Sequence, residues 1–537
     1  SGLLAGEGHI PLACTPEPST AAPVSGAVDE CEVTFSHHME VTRIYEAPRV
    51  TLPYTDGQWQ DIVALGHAVD EQLTRQDVRL TMGGEPTFVS VDDRDGAEWN
   101  TDALGPTKRG FATELVHRLL GRYGQGGFLH FGQGKWYPGE QLPRWSLAIC
   151  WRADGQPCWR DPSIFADERE VHRYTTADAQ AFMVALTQRL GLDPKYVHPG
   201  YEDTFYYLWR ERRLPVNVDP FDSRLDDEME RQRLRRIYQQ GLDSVVGYVL
   251  PLRKEWVKGT AGPAWITGAW FVRDDRMYLF PGDSPMGYRL PLDSLPWAKA
   301  EDQQPLIAQD PYATRSPLPS AVSLRSQARG YDAHRAGHGF AEGGAVALQG
   351  QPTPEEGALG GFGAGASGPL PHLPVAFSAQ DPDAYPQRHE SAGWTTRTAL
   401  CVEVRDPQRA NGPKAEREHG GKSGVMYVFM PPLQHLEDYL ELVAAVEATA
   451  VEQGVKIVLE GYPPPRDPRL KTLAVTPDPG VIEVNIHPAK DWSELLDHTE
   501  FLYDAAHRTR LSTEKFMLDG RHTGTGGGNH FVLGGAT

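Results

Sequence analysis

Apolar side chains recur along this chain with two periods, one typical of helices and one typical of strands. Spacings of three and four predict helices over residues 59–73 and 108–123, and another from Leu436 to a stop at Gly454. Strands are mixed with these helices without regular strand–helix–strand alternation, which favours an α+β fold with a largely antiparallel sheet. Short apolar runs predict the strands, at residues 31–35, 78–82, 128–131, 146–152, 398–404, 425–430, 456–460 and 481–486.

Two local signals predict further elements. Thr175, followed by Asp178, is typical of a capping box and predicts a helix that ends at Gly191. Residues 265–273 and 276–280 are apolar segments on either side of an Asp-Asp pair, and they predict a β-hairpin.

Composition divides the chain into four parts. Residues 1–50 form a lead-in rich in Pro, Ala and Ser. Between residues 327 and 391 Gly, Ala, Pro and Ser dominate, and too little apolar surface is available there to offset chain entropy. We therefore predict a flexible insert at 327–391 that separates two parts of one folded region, residues 51–326 and 392–537.

The overall charge limits the kinds of partner. With 72 acidic and 52 basic residues the formal charge is −20, which opposes binding to nucleic acid or to an anionic membrane. The five cysteines are scattered and odd in number, which favours a reducing compartment. We see neither a basic–apolar leader nor an apolar run long enough to span a bilayer. We therefore expect a cytoplasmic protein without a nucleic-acid or membrane partner.

A glycine-rich run at residues 521–530 carries the most informative candidate chemistry. Its glycines allow the main chain to approach a ligand and to point N–H groups at it, and phosphate with a divalent metal suits such a loop best. His530 is a candidate metal ligand, although a turn tip with an incidental histidine is the alternative. The candidate phosphate-binding residues of this run are Arg521, His522, Thr523, Thr525, Gly526, Gly527 and Gly528.

A second polar segment lies at residues 479–488. Strand alternation sends Glu483, Asn485 and His487 to one face and apolar side chains to the other, and Pro488 is expected to end the strand. Such a strand indicates the wall of a site, with Glu483 as a metal ligand and the other two side chains holding substrate or a water molecule. A solvated edge strand is the alternative.

Two earlier loops offer further candidates. Glu85 follows a predicted strand in a Gly-Gly-Glu-Pro-Thr turn, where it is either a hard oxygen ligand for Mg²⁺ or a simple turn acid. Lys135 and Glu140 lie in the loop at residues 132–140, with Arg144 beyond it, and they suit a nucleotide or a carboxylate. The loop is not a P-loop, because Ser or Thr does not follow the lysine, and a surface hairpin loop is equally compatible with it.

Together these segments resemble carboxylate–amine ligases with a glutamine synthetase-like fold, and more narrowly bacterial amidoligases that often follow a transglutaminase-like domain. The segments that carry the narrow resemblance are residues 80–88, 132–140, 476–488 and 519–530. One departure is Pro86 after Glu85, where such enzymes commonly hold paired glutamates. The resemblance implies a curved sheet, and it also implies strands beyond the glycine-rich loop, so we expect the C-terminal strands of the fold to be missing from this chain.

The resemblance also implies roles for the candidate residues. Glu85, Glu483 and His530 fall on metal-binding, catalytic positions, and ATP with Mg²⁺ is the implied cofactor pair. The implied cofactor-binding residues are Lys135, Arg521, Thr523, Thr525, Gly526, Gly527 and Gly528. The implied substrate-binding residues are Glu140, Arg144, Asn485 and His487.

The implied reaction joins a carboxylate to an amine. ATP phosphorylates the carboxylate of a peptide or amino-acid-like substrate, and an amine then displaces phosphate to give an amide or isopeptide bond. A transglutaminase-like domain or protein is the expected partner. Two alternatives stay open: a non-catalytic module that binds a peptide or nucleotide for a transglutaminase-like protease, and a metal-assisted isopeptide hydrolase.

Overall fold

The computed structural model describes most of the chain. The predicted insert 327–391 lies outside them except for residues 383–391, and Arg521 also lies outside them. The described residues are 31–35, 39–43, 54–138, 140, 143–221, 228–256, 263–303, 309–310, 313–320, 323–324, 383–411, 423–516, 522–528 and 530–535.

Helix ends follow local signals in the sequence. Thr175 and Asp178 form the predicted capping box, in which the Asp178 carboxylate accepts the Thr175 backbone N–H at 2.7 Å. Gly454 ends its helix with a φ of 63°, a left-handed conformation that favours glycine. The described α-helices are α1 (Asp56–Arg75), α2 (Lys108–Tyr123), α3 (Thr176–Arg189), α4 (Thr204–Arg212), α5 (Glu228–Gln240), α6 (Leu436–Gln453) and α7 (Trp492–Arg508).

The strands are short and are distributed over the whole described chain. They are β1 (Cys31–Phe35), β2 (Met39–Arg43), β3 (Leu80–Glu85), β4 (Thr87–Ser90), β5 (Phe128–Gln133), β6 (Trp145–Arg152), β7 (His198–Glu202), β8 (Val245–Pro251), β9 (Arg253–Trp256), β10 (Pro263–Ile266), β11 (Met277–Leu279), β12 (Ala399–Arg405), β13 (Val425–Met430), β14 (Ile457–Gly461), β15 (Leu470–Asp478), β16 (Val481–Ala489), β17 (Leu511–Ser512), β18 (Glu514–Phe516), β19 (His522–Gly524) and β20 (His530–Gly535).

One 14-stranded sheet organises the described residues. Its main path runs β11-β7-β8-β12-β13-β14-β5-β6-β15-β16-β3-β20, and β4 joins it by pairing with β16 and β17. Three neighbouring pairs are parallel, namely β11 with β7, β13 with β14, and β14 with β5. The remaining pairs are antiparallel, so the predicted largely antiparallel sheet with flanking helices is confirmed.

Helices cover both faces of the sheet: Tyr123 of α2 stacks on Trp151, whereas α6 packs on the face of Phe128, which pairs with the adjacent Cys150. α2 packs on β6 and β15, and α7 packs on α2 and β16. α6 contributes a nearly continuous buried face, and its Tyr439 stacks on Phe128 of β5 at 6.1 Å between ring centroids. Within the described part of the chain, no helix combines the length and hydrophobicity that a membrane crossing requires.

The predicted hairpin over residues 265–280 is wrong. Residues 263–266 form β10 and pair with β9, whereas β11 pairs in parallel with β7. Between β10 and β11 the chain makes a 3₁₀ turn at Arg273–Asp275. Two apolar segments near an Asp-Asp pair therefore take different partners, because long-range pairing overrides the local turn signal.

Candidate functional site

β3 lies between β16 and β20 and brings two predicted metal ligands together. Glu85 at the end of β3 stands opposite His530 at the start of β20. The His530 Nδ1 atom lies 3.1 Å from Oε2 of Glu85, although the two residues are 445 positions apart in the chain. The prediction that Glu85 lies in a turn after the strand is wrong, because β3 stays paired up to Glu85 itself.

The third predicted ligand, Glu483 on β16, shares a sheet face with this pair. Glu483 stands opposite Thr87 in β4, and the register continues unchanged into β3, which places Asn485 opposite Glu85. Directly opposite side chains share a face, and diagonal neighbours lie about 7–8 Å apart. Glu483 is therefore a diagonal neighbour of Glu85.

Glu483 is buried and holds several polar partners. Its Oε1 atom accepts a hydrogen bond from Asn485 Nδ2 at 2.9 Å and lies 3.5 Å from Lys135 Nζ. Thr476 of β15 also donates to it, at 3.5 Å. Burial works to lower the pKa of Lys135, but nearby Glu483, Tyr137 and Glu85 outweigh burial and raise that pKa above its ordinary value. One lysine charge thus interacts with both acids of the site.

The glycine-rich loop lies over the same face. The buried hydroxyls of Thr525 and Thr87 are 2.6 Å apart, which fixes the loop to β4. A Cβ added at Gly527 would lie 2.9 Å from Val481 and 3.1 Å from Thr87, so the backbone approaches the sheet as only glycine allows. Gly526 adopts a φ of 91°, which also favours glycine. Thr523 lies on β19, and the structure does not describe its side chain.

The donor set suits a cation that is shared with a phosphate ligand. The ligand atoms of Glu85, Glu483 and His530, all within the described chain, do not all lie within 4.8 Å of one another. They are therefore too far apart to enclose one ion without further ligands. Mg²⁺ in phosphoryl-transfer sites is bound by one or two carboxylates together with substrate phosphates. The two carboxylates beside a bare glycine backbone fit that arrangement.

The hairpin between β5 and β6 carries Lys135, Glu140 and Arg144. Arg144 donates to Oε1 of Glu140 at 2.7 and 2.9 Å, and its guanidinium lies 4.3 Å from the ring centre of Tyr137. Arg144 also pairs with Asp478 at the end of β15. Glu140 and Arg144 therefore bind each other at the border of the site, while Lys135 reaches its centre.

The prediction that His487 shares a face with Glu483 and Asn485 is wrong. Between Ile486 and Ala489 the register with β3 shifts by one residue, because three steps on β16 match two on β3. Pro488 lies in this segment and has no N–H to donate to a ladder. The extra residue turns His487 to the other face, and β16 continues to Ala489 instead of ending at the proline.

On that other face the His487 ring lies among aromatic side chains of the helical layer. Its ring centroid is 4.8 Å from that of Trp151, 5.2 Å from that of Tyr123 and 4.2 Å from that of His498. Burial, with smaller contributions from His498 and Lys471, lowers the pKa of His487 to about 3. His487 is therefore neutral at physiological pH and is separated from the acidic face.

Several polar residues beside the site carry no recognisable signal in the sequence. Thr87 and Thr476 lie in the segments 80–88 and 476–488, but the sequence assigned them no role, and strand pairing brings them to the site. Lys108 at the start of α2 is buried and donates to the backbone oxygens of Asp478 at 2.9 Å and Asp102 at 3.1 Å. Burial lowers its pKa to about 7. Its position as the first residue of a predicted helix gave no signal of that environment.

Comparison with known proteins indicates the family of the chain. No curated protein and no solved structure matches the chain. One family model covers residues 29–537, which include Glu85, Glu483 and His530. Since this match spans far more than half of its length, the chain belongs to the family described as "Putative amidoligase enzyme (DUF2126)".

Proposed function

We propose that this chain is an ATP- and Mg²⁺-dependent carboxylate–amine ligase that forms an amide or isopeptide bond through an acyl phosphate. Membership of an amidoligase family suggests a ligase. The observation that carries the finer proposal is the shared face of Glu85, Glu483 and His530 beneath a glycine-rich loop. We extend the proposal to a glutamine synthetase-like fold, in which acidic strands face bound nucleotide.

In this proposal Glu85, Glu483 and His530 hold Mg²⁺ together with phosphate oxygens. Bound Mg-ATP would supply the phosphoryl group that activates the substrate carboxylate. Lys135, half-exposed and paired with Glu483, is placed to exchange that pairing for a phosphate oxygen. Backbone N–H groups of Gly526, Gly527 and Gly528 would donate hydrogen bonds to the same phosphate oxygens.

Other groups at the site have positioning roles in the proposal. Asn485 donates to Glu483 and so leaves the second carboxylate oxygen, Oε2, free of that contact. The Glu140–Arg144 pair closes the end of the site next to β15 and would orient the peptide or amino-acid-like substrates. A transglutaminase-like partner would supply or consume the same type of amide bond.

Calorimetry with Mg-ATP, followed by ADP release with amines and acidic peptides, tests the proposal. We expect metal-dependent Mg-ATP binding and ADP release that needs both an amine and a carboxylate. Binding without turnover would favour the non-catalytic binding module. Absence of Mg-ATP binding together with metal-dependent cleavage of isopeptides would favour the hydrolase.

A substitution in the glycine-rich loop tests the phosphate-binding role. We expect Gly527→Ala to weaken Mg-ATP binding by about tenfold or more, because the added methyl group must displace either the loop or Val481 and Thr87. Gly524→Ala is the matched control, since an added Cβ there meets nothing within 4 Å. Equal dissociation constants for the two variants, measured by calorimetry, would remove the loop from the nucleotide site.

A further inference from the structure

Three metal-ligating side chains converge on the helix-covered face of β16, opposite the acidic face. They are His487 on β16 and Glu494 and His498 on α7, and one potential ligand atom from each lies within 4.8 Å of the others. Glu494 and His498 are four residues apart, so one helix face presents both. His498 Nε2 lies 3.8 Å from Oε1 of Glu494.

The two imidazoles have polar atoms without partners. The Nδ1 atoms of His487 and His498 are buried and have no hydrogen-bond partner, and each residue is only 5% exposed. A buried polar atom without a partner costs about 1–3 kcal/mol, and native structures contain few such atoms. Two such atoms, on adjacent rings beside a carboxylate, indicate that a ligand supplies the missing interactions.

We propose that His487, Glu494 and His498 bind a divalent transition metal, with Zn²⁺ as the preferred ion. Two imidazoles and one carboxylate are a donor set that Zn²⁺ accepts, with a water molecule in the fourth tetrahedral position. Bonds of about 2.1 Å place tetrahedral ligands about 3.4 Å apart, so side-chain atoms that lie up to 4.8 Å apart need to approach each other by up to about 1.4 Å. Mg²⁺ and Ca²⁺ are poor candidates, because they prefer oxygen ligands.

The surroundings of this cluster suit a metal that orders the fold. The rings of Tyr123 and Trp151 contact His487 edge-on and exclude water from one side. Lys471 Nζ lies 3.8 Å from Oε1 of Glu494, and the lysine side chain is 39% exposed, so it can move into solvent when a cation binds. The metal would join α7 to β16 at its register shift, two residues beyond Asn485.

Zinc titration of the metal-free full-length chain, in competition with a chromophoric chelator, tests the site. We expect one equivalent of Zn²⁺ to bind with a dissociation constant of about 1 µM or lower. Glu494→Gln, at a half-buried position, should weaken binding about 10–100-fold, and His498→Phe should abolish it. His507→Ala is the matched control, because His507 lies on the same helix and is exposed.

Two further measurements separate this site from the acidic face. Co²⁺ should give the visible absorption of a tetrahedral complex in the wild-type chain and in Glu85→Gln, but not in His498→Phe. Zn²⁺ should raise the melting temperature of the wild-type and His507→Ala proteins and leave that of His498→Phe unchanged. Zinc binding that is absent from the wild-type chain, or equally tight in Glu494→Gln, would overturn the proposal.

Discussion

Glu483→Gln should lower ADP release by about a hundredfold or more while the chain stays folded. A metal-ligand carboxylate contributes several kcal/mol of charge stabilisation, and each 1.36 kcal/mol corresponds to a factor of ten in rate. Glutamine keeps an amide oxygen that can accept the hydrogen bond from Asn485. Lys135 loses its charge partner in this variant, but its side chain is 54% exposed and can be solvated. A coupled assay of ADP release, with circular dichroism for folding, measures both effects.

Glu500→Gln serves as the control for this variant. Glu500 is exposed on α7, so Glu500→Gln removes the same charge at a position away from the site. We expect its ADP release to equal that of the wild-type chain. Unchanged turnover in Glu483→Gln would exclude Glu483 from the metal site, whereas loss of turnover in both variants would attribute the effect to overall charge.

The second large effect is a loss of folding stability when Arg405, near the centre of the sheet, is substituted. The side chain of Arg405 on β12 is only 9% exposed, and it donates to Glu403 at 2.6 Å and to Glu460 at 2.7 Å, with its guanidinium 3.5 Å from the ring centre of Tyr427. We expect Arg405→Met to destabilise the folded state by about 3–5 kcal/mol, because two buried carboxylates lose their cation. The melting temperature and the urea midpoint should both fall.

An exposed ion pair provides the comparison. Arg508 pairs with Asp504 at 2.9 Å on the surface of α7, and Arg508→Met should change stability by no more than about 0.5 kcal/mol. Adding Glu460→Gln to Arg405→Met should restore part of the lost stability, since it removes one of the unpaired charges. Equal melting temperatures for Arg405→Met and Arg508→Met would contradict the role of this buried network.

Elements with strong local signals were predictable from the sequence. The apolar period predicts a helix over residues 108–123, and α2 has these bounds. The run at residues 425–430 is a strand with those bounds, buried throughout. The capping box at Thr175 and Asp178 also forms as expected. In each case the interactions that define the element lie within a few residues of one another.

Elements defined by distant partners were harder to predict. β15 and β20 were missed, because their apolar patterns are weak and their positions depend on β16 and β3. The hairpin prediction over residues 265–280 failed for the same reason. His487 was placed on the wrong face because alternation alone does not reveal the extra residue beside Pro488.

The residues of the candidate site also fall into two groups, those with a signal in the sequence and those placed only by distant contacts. Residue types and glycine spacing indicated Glu85, Glu483 and the glycine-rich run, whereas the contact of Lys135 with Glu483 depends on a fold that brings positions 348 residues apart together. Thr476 and Lys108 contribute through position only, and their residue types gave no signal. The sequence therefore predicts which side chains are available for chemistry, and strand pairing decides which of them lie together in one site.

A double-mutant cycle on Mg-ATP affinity tests most directly whether Glu85 and Glu483 belong to one site. Calorimetry would give dissociation constants for the wild-type chain, Glu85→Gln, Glu483→Gln and the double variant. We predict that the double variant binds Mg-ATP about as weakly as the single variant with the lower affinity. The reason is that the effects of substituting two residues that bind one ligand do not add. Losses of affinity that multiply in the double variant, or affinity that is unchanged in both single variants, would contradict a shared site.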